Sequence, residues 1–146
     1  MQSQALCVVL LAFTVVFAGN VDYDRCGGVG TFRGLRISDC SGAVCEMIPG
    51  RPYNCEGDLL PSSPAASLSL KVTTVYLTTV ITIIDTVLEN SSVQPGYLYT
   101  VKFTIVPNDV LVGNHLLTQA SLYHTTVNPN PLIEFCAAFH VRIIEG

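Results

Sequence analysis

The sequence predicts an all-β domain, an antiparallel β-sandwich of about seven or eight short strands. Two observations lead to this fold class. Apolar and polar residues alternate with the period of two that is typical of strands, whereas helical periodicity is weak. Segments of turn-forming residues separate the alternating stretches: IPGRP, GDLLPSSPAAS, ENSSVQPG, VPNDVLVGN and NPNP. No repeat or linker divides the chain, so one domain is expected.

Three stretches show the alternation directly. Residues 31–38 place Phe32, Leu35 and Ile37 between arginines, with Gly34 as a candidate bulge. Residues 96–107 give one face of Tyr97, Tyr99, Val101, Phe103 and Ile105. Residues 133–144 point Ile133, Phe135, Ala137, Phe139, Val141 and Ile143 one way, and Glu134, Cys136, His140 and Arg142 the other. Glu134 and Arg142 are expected on an exposed strand face.

Residues 71–84 do not define a simple register, because both faces are apolar or threonine. A strand covered on both sides would have this composition, and so would a strand that faces a large cavity. The inward candidates here are Val75, Leu77, Ile81 and Ile83.

The N-terminal residues indicate export. Residues 5–18 carry no charge and have the length of a signal-peptide core, and Val16 and Ala18 fit the small-residue rule for cleavage. We therefore expect a signal peptide at 1–18 and a secreted domain at 19–146. Because Met1 to Gln4 contain no Lys or Arg, an N-terminal membrane anchor is the alternative.

Charge and cysteine content narrow the function classes. A net charge of −4 and a pI near 5.1 argue against nucleic acid or an anionic membrane surface as the main partner. Cysteines of an exported domain meet an oxidising compartment. No CxxC or HxxxH spacing indicates a metal site, so the cysteines are interpreted as disulfide staples, whose pairing the spacing leaves open.

No catalytic motif is present in the sequence. G-x-S-x-G, H-E-x-x-H and a phosphate-binding glycine loop are all missing. His140 lies opposite the apolar face of its segment and is interpreted as a solvent-facing strand residue. We expect a non-enzyme with no cofactor.

Five segments occur in a characteristic order: RCGG, DCSGAVC, IPGRPY, GYLYTVKFTI and LIEFCAAFHVRI. This order resembles the ML lipid-recognition family, which includes the Niemann-Pick type C secreted sterol carriers and the group-two mite allergens. The resemblance spans essentially the whole mature chain. It implies an immunoglobulin-like sandwich of two sheets with an internal apolar cavity, located outside the cell or in the endolysosomal lumen.

The resemblance also implies a disulfide pattern. Cys26 would pair with Cys136, and Cys40 with Cys45. Cys55 has no counterpart in the family pattern, and the further cysteine pair that the family carries before the GYLY strand is missing from residues 85–96. Alternation around Cys55 predicts a free thiol that faces the interior of a monomer, and an intermolecular bridge is the alternative.

The function that the resemblance implies is a non-enzymatic carrier of a sterol, fatty acid or similar lipid, with transient membrane or receptor contact. The predicted cavity residues are the inward sets: Phe32, Val75, Leu77, Ile81, Ile83, Tyr99, Val101, Phe103, Ile105, Phe135 and Phe139. The alternative is an extracellular recognition module, in immunity or adhesion, whose core is filled by the same residues. Asn90-Ser91-Ser92 is a predicted N-glycosylation site.

Overall fold

The computed structural model describes residues 18–146, which form two stacked β-sheets. The all-β sandwich prediction is confirmed. The strands of the described part are β1 (Ala18–Val21), β2 (Asp24–Gly27), β3 (Thr31–Ser38), β4 (Val44–Met47), β5 (Tyr53–Leu60), β6 (Leu68–Tyr76), β7 (Thr79–Val87), β8 (Tyr99–Ile105), β9 (His115–His124) and β10 (Ile133–Ile143). A 3₁₀ turn covers Asp109–Leu111. Within these residues no helix has the length and apolar character needed to cross a membrane.

The two sheets divide the strands unequally. The four-stranded sheet has the antiparallel order β1-β3-β5-β8. The six-stranded sheet has the order β2-β10-β9-β6-β7, and β4 joins it by pairing with β10 in parallel. Because β2 and β4 pair with successive halves of β10, they share one edge of that strand. At the other side of the molecule, β7 and β8 are the edge strands of their sheets.

The core lies between the sheets, where alternate residues of the strands meet. Its fully buried side chains include Ile37, Met47, Tyr53, Leu59, Val72 and Phe139. The Tyr53 hydroxyl accepts a hydrogen bond of 2.7 Å from the Ile48 backbone N–H, so this buried aromatic ring has a partner for its polar atom.

The outer face of the four-stranded sheet is polar. Arg36 on β3 donates to both carboxylate oxygens of Asp58 on β5, at 2.6 and 2.9 Å. This hydrogen bond holds the pKa of Asp58 below its usual value, although burial acts in the opposite direction. The pair therefore stabilises the sheet above the usual titration range of a carboxyl group, and this contribution is lost as the pH falls.

Two sequence interpretations were wrong. Residues 71–84 are two strands of a hairpin, with Leu77 in the turn at a φ of 57°. Glu134 is fully buried, because the pairing of β10 with β9 shifts register between Ile133 and Phe135. This bulge turns Glu134 inward and leaves Ile133 exposed. Arg142 is on the exposed face.

The buried Glu134 carboxylate joins three segments. It accepts hydrogen bonds from the Ser62 backbone N–H at 2.8 Å and the Ser62 hydroxyl at 2.9 Å, and His124 Nε2 lies 2.6 Å from it. The loop after β5, the end of β9 and the start of β10 are thus connected through one side chain. We call these residues the Glu134 cluster.

The predicted signal peptide lies outside the described residues, apart from Ala18, where β1 begins. Its cleavage stays a prediction.

Candidate ligand cavity

A cavity of about 310 Å³ opens between the two sheets on the side of β7 and β8. Strands of both sheets and the loop after β8 supply its lining: Met47, Thr74, Ile81, Thr82, Ile83, Ile105, Val106, Pro107, Asn108, Val110, Leu111, Leu116, Thr118, Val141 and Ile143. No charged side chain is part of this lining. A site of this kind favours an apolar guest, because apolar surface leaves water on both partners.

The inner wall of the cavity consists of buried side chains whose hydroxyl groups are hydrogen-bonded within the protein. Met47, Leu116, Val141 and Ile143 are buried side chains of strands in the six-stranded sheet. The two buried hydroxyls on this wall satisfy each other, since the Thr74 and Thr118 Oγ1 atoms lie 3.2 Å apart. Thr74 Oγ1 also lies 3.3 Å from the Leu117 carbonyl oxygen, which it can reach as a donor. The wall therefore makes no demand for a polar ligand group.

The mouth of the cavity is formed by exposed apolar residues. Ile81 and Ile83 come from β7, and Val106 and Val110 from the loop after β8. Asn108 fixes the 3₁₀ turn of this loop, because its Oδ1 accepts a 3.1 Å hydrogen bond from the Val110 N–H. The apolar surface of the interior therefore continues through this rim to the solvent.

Three of the predicted cavity residues line this cavity, namely Ile81, Ile83 and Ile105. Val75 and Leu77 do not. Val72 and Thr74 of β6 are buried and face the interior. Because side chains alternate along a strand, Val75, which follows Thr74, lies on the outer face of the sheet. Leu77 is 80% exposed in the turn of the hairpin. Their assignment to the cavity was wrong because the turn contains no Gly, Pro, Asn or Asp to reveal it.

The other end of the sandwich is packed. The Phe32 and Phe135 rings stack with centroids 3.8 Å apart, and Tyr23 meets both edge-on. Phe32 and Phe135, with Val101 and Phe103, border a space of only about 20 Å³. Phe139 is fully buried in the core. For Phe32, Val101, Phe103, Phe135 and Phe139 the structure therefore shows core packing in place of the predicted cavity wall.

Tyr99 and Val101 border a second cleft, of about 320 Å³, beneath residues 88–93. The Tyr99 hydroxyl accepts a hydrogen bond from the Gln94 N–H at 2.9 Å. Glu89 and Lys102 both line this cleft. Its charged rim and loop-built wall make it less suited to an apolar ligand than the cavity between β7 and β8.

Several cavity residues were missed in the sequence. Met47 lies on a strand that the sequence did not reveal, and Leu116 and Thr118 lie on β9, for which no face was assigned. Val106, Val110 and Leu111 belong to a segment that was assigned as a turn. Three large apolar residues in such a short loop are a signal that could have indicated a binding function for it.

No protein-family model matches the chain, and no curated protein matches its sequence. Solved structures do match its fold. A Niemann-Pick type C2 protein from the Japanese carpenter ant superposes with a TM-score of 0.66 at 17% identity, covering 84% of this chain and 98% of that one. The resemblance to the ML family in the sequence is matched by this likeness of fold. The chain has an ML-like fold.

Two further structures share the architecture. Chicken MD-1, solved in complex with lipid IVa, matches the ML-like fold of this chain with a TM-score of 0.50 at 12% identity, over 86% of this chain and 96% of MD-1. The C-terminal domain of Wzt matches with a TM-score of 0.63 at 12% identity, over 86% and 80% of the two chains. At these identities the likeness establishes the fold alone.

None of the four disulfide-bonded cysteines of this ML-like fold lines the cavity. Cys26 is bonded to Cys136 with Cα atoms 4.9 Å apart, which links β2 to β10. Cys40 is bonded to Cys45 across the connection between β3 and β4. This is the pairing that the family resemblance implies.

Cys55 on β5 is a free, fully buried thiol. Burial raises the pKa of this thiol from 9.0 to about 12. Since the folded-state pKa lies above the unfolded-state value, stability falls as the pH rises from about 9 toward about 12.

We expect Cys55 to react with an aromatic disulfide reagent at pH 8 very slowly in the native protein and rapidly after denaturation. The thiolate is the reactive form, and burial both suppresses it and blocks access. Absorbance of the released thiolate follows the reaction. The experiment uses the chain from residue 19, which lacks Cys7, and there Cys55→Ala is the control that should release nothing in either state. Rapid labelling of the native protein would show that Cys55 is accessible.

Proposed function

We propose that the protein is a secreted, non-enzymatic carrier that binds an apolar lipid in the cavity between β7 and β8. The observation that carries this proposal is an open space of about 310 Å³ between the sheets, with no charged residue in its lining. The volume is at the lower end of the roughly 300–1,000 Å³ range of small-molecule sites. The complex of chicken MD-1 with lipid IVa supports lipid binding by this fold.

The ligand class follows from the lining. A sterol or a single acyl chain fits a narrow apolar space, and each buried methylene contributes about 0.8 kcal/mol. The lining contains no Lys, Arg or His side chain that could pair with the carboxylate of a fatty acid. A fatty acid would therefore hold its headgroup at the mouth, in water, and its chain against Leu116, Val141 and Ile143.

The disulfides and the glycosylation motif of the chain support secretion. Two disulfides suit an extracellular or endolysosomal compartment. Asn90 and Ser92 of the glycosylation motif are exposed, in the loop between β7 and β8. A glycan on Asn90 would project from this loop beside the second cleft, which Asn90 borders.

A pair of adjacent substitutions on β7 tests the cavity. Ile81 lines it, whereas Val80 faces outward and pairs with Val75. Ile81→Asp places a charge at the cavity mouth, where a bound lipid would have to cover it. We expect this variant to bind a fluorescent sterol or fatty acid probe at least about tenfold more weakly, a loss of about 1.4 kcal/mol. Val80→Asp is expected to bind within about twofold of the parent.

Both variants are checked for the parent's melting temperature before the titration. Equal affinities of Ile81→Asp and the parent protein would contradict the cavity as the binding site. Mass spectrometry of organic extracts from the protein purified from its source provides a second measurement, which should find lipid. The alternative recognition module, for which the packed aromatic end argues, would yield no lipid and no probe binding.

A further inference from the structure

Two histidines meet on the outer face of the six-stranded sheet, on the side away from the cavity. His115 lies on β9 and His140 on β10, where His115 pairs with Arg142 and His140 with Leu117. The two histidines are thus diagonal neighbours across one pair of strands. His115 Nε2 lies 3.1 Å from His140 Nδ1, and the rings are nearly perpendicular, with an interplanar angle of 81°.

The 3.1 Å separation is that of a hydrogen bond between the two rings, and it is also that of two nitrogens bound to one metal ion, which would replace the shared proton. With metal–nitrogen bonds of about 2.0–2.1 Å, a separation of 3.1 Å corresponds to an angle at the metal of about 98°. This value lies between the about 90° of a square-planar site and the about 109° of a tetrahedral one. Both rings are exposed, so a rotation about the Cβ–Cγ bonds can direct both lone pairs at a common point.

The backbone of the site is fixed before a metal arrives. β9 and β10 pair along nearly their whole lengths, and β10 is held on its other edge by β4 through His140 to Ile143. The two Cα atoms therefore cannot drift apart, and chelation orders only two side chains. This arrangement reduces the entropy that binding loses.

The charged neighbours are balanced. Arg142 lies directly opposite His115 in the strand register, and its positive charge disfavours a cation. Glu46 on β4 is the register partner of Arg142 on the other side, and its negative charge offsets that of Arg142. In the solvent these contributions are strongly screened. Val44 and Leu117 pair with His140 from either side and add no charge.

We propose that His115 and His140 form a surface site for one divalent transition-metal ion, bound through the two imidazole nitrogens and completed by water. Imidazole favours Cu²⁺, Ni²⁺ and Zn²⁺ over Mg²⁺ and Ca²⁺, and the affinity is highest for Cu²⁺. Within residues 18–146 no group of three or more His, Cys, Asp or Glu side chains could hold a metal. The site is therefore exchangeable and does not serve as a structural metal centre.

Because the metal site and the cavity lie on opposite faces of the same strands, the proposal is independent of lipid binding. Leu116 and Val141, the chain neighbours of the outward residues, point into the cavity. A metal effect on probe binding is therefore unnecessary for the proposal, and failure of either site leaves the other in place.

Metal-free protein is titrated with Cu²⁺ and, separately, with Zn²⁺ in competition with a metal indicator dye. We expect one ion per chain, with Cu²⁺ bound more tightly, and an electron paramagnetic resonance spectrum of bound Cu²⁺ that shows two nitrogen ligands. His115→Ala and His140→Ala should each weaken binding at least tenfold, and the double variant should lose no more than either single one, because a chelate fails when one ligand is removed.

His124→Gln is the matched control, since His124 is the remaining histidine of the chain and lies in the Glu134 cluster. Its metal affinity should stay within twofold of the parent's. Circular dichroism confirms that each variant is folded. Binding that survives in both alanine variants, or that falls equally in His124→Gln, would place the metal elsewhere and overturn the proposal.

Discussion

Glu134→Ala is expected to lower the free energy of unfolding by about 2–4 kcal/mol, because a fully buried carboxyl group with three hydrogen-bond partners is removed and each such bond contributes about 0.5–1.5 kcal/mol. The substitution removes the acceptor of the Ser62 N–H, the Ser62 hydroxyl and His124 Nε2, and it empties the fully buried site of the carboxyl group. It also separates three segments that meet at this carboxylate. Urea unfolding followed by circular dichroism measures the change.

Glu46→Ala is the matched control, because Glu46 is an exposed strand residue of the same sheet. Its effect is expected within about 0.5 kcal/mol. Glu134→Gln keeps the shape of the side chain and should fall between the two. If Glu134→Ala were as stable as Glu46→Ala, the Glu134 cluster would be of no importance for stability.

Removing the Cys26–Cys136 disulfide by a double alanine substitution should destabilise the protein by about 4–5 kcal/mol, because the bond closes a loop of 110 residues. A domain of this size has a net stability of about 5–15 kcal/mol. The double variant should therefore lose between about a quarter and all of this stability. Its thermal unfolding midpoint, measured by differential scanning calorimetry, gives the loss.

The second disulfide supplies the comparison. Cys40 and Cys45 are five positions apart, so the chain-entropy contribution of their bond is about 2 kcal/mol. The Cys40→Ala, Cys45→Ala protein should retain most of its stability. An equal loss in the two double variants would contradict loop length as the origin of the difference.

The sequence predicted those strands in which apolar and polar residues alternate because one face is buried. β3 coincides with the alternating stretch 31–38, and β8 and β10 lie within the stretches that begin at Gly96 and Ile133. The bulge at Glu134 could not be predicted from alternation, since it depends on how β10 pairs with Tyr123 and Leu122. The turn at Leu77 was equally hidden, because leucine rarely adopts positive φ.

The division of the interior into a packed end and an open end could not be predicted from the local pattern. Phe103 and Ile105 occupy equivalent inward positions on β8, yet one meets the aromatic cluster and the other meets the cavity. The difference arises from the partners across the sandwich. Phe32 and Phe135 fill space at one end, while Thr74 and Thr118 leave it at the other. Such volumes depend on residues far apart in sequence.

The Cys26–Cys136 disulfide and the β7 part of the cavity mouth lie at opposite edges of the six-stranded sheet. β2 is covalently linked to β10 at one edge, whereas β7 at the other is paired only with β6. Movement of β7 away from β8 therefore breaks no covalent bond, and the space between the two sheets can widen on that side. The two edges should also differ in amide hydrogen exchange, with β7 exchanging in the fast, locally opening class and β10 in the slow, globally protected one. Local opening of the β6–β7 hairpin would thus admit a bulky ligand, while the disulfide-linked strands β2 and β10 keep their register.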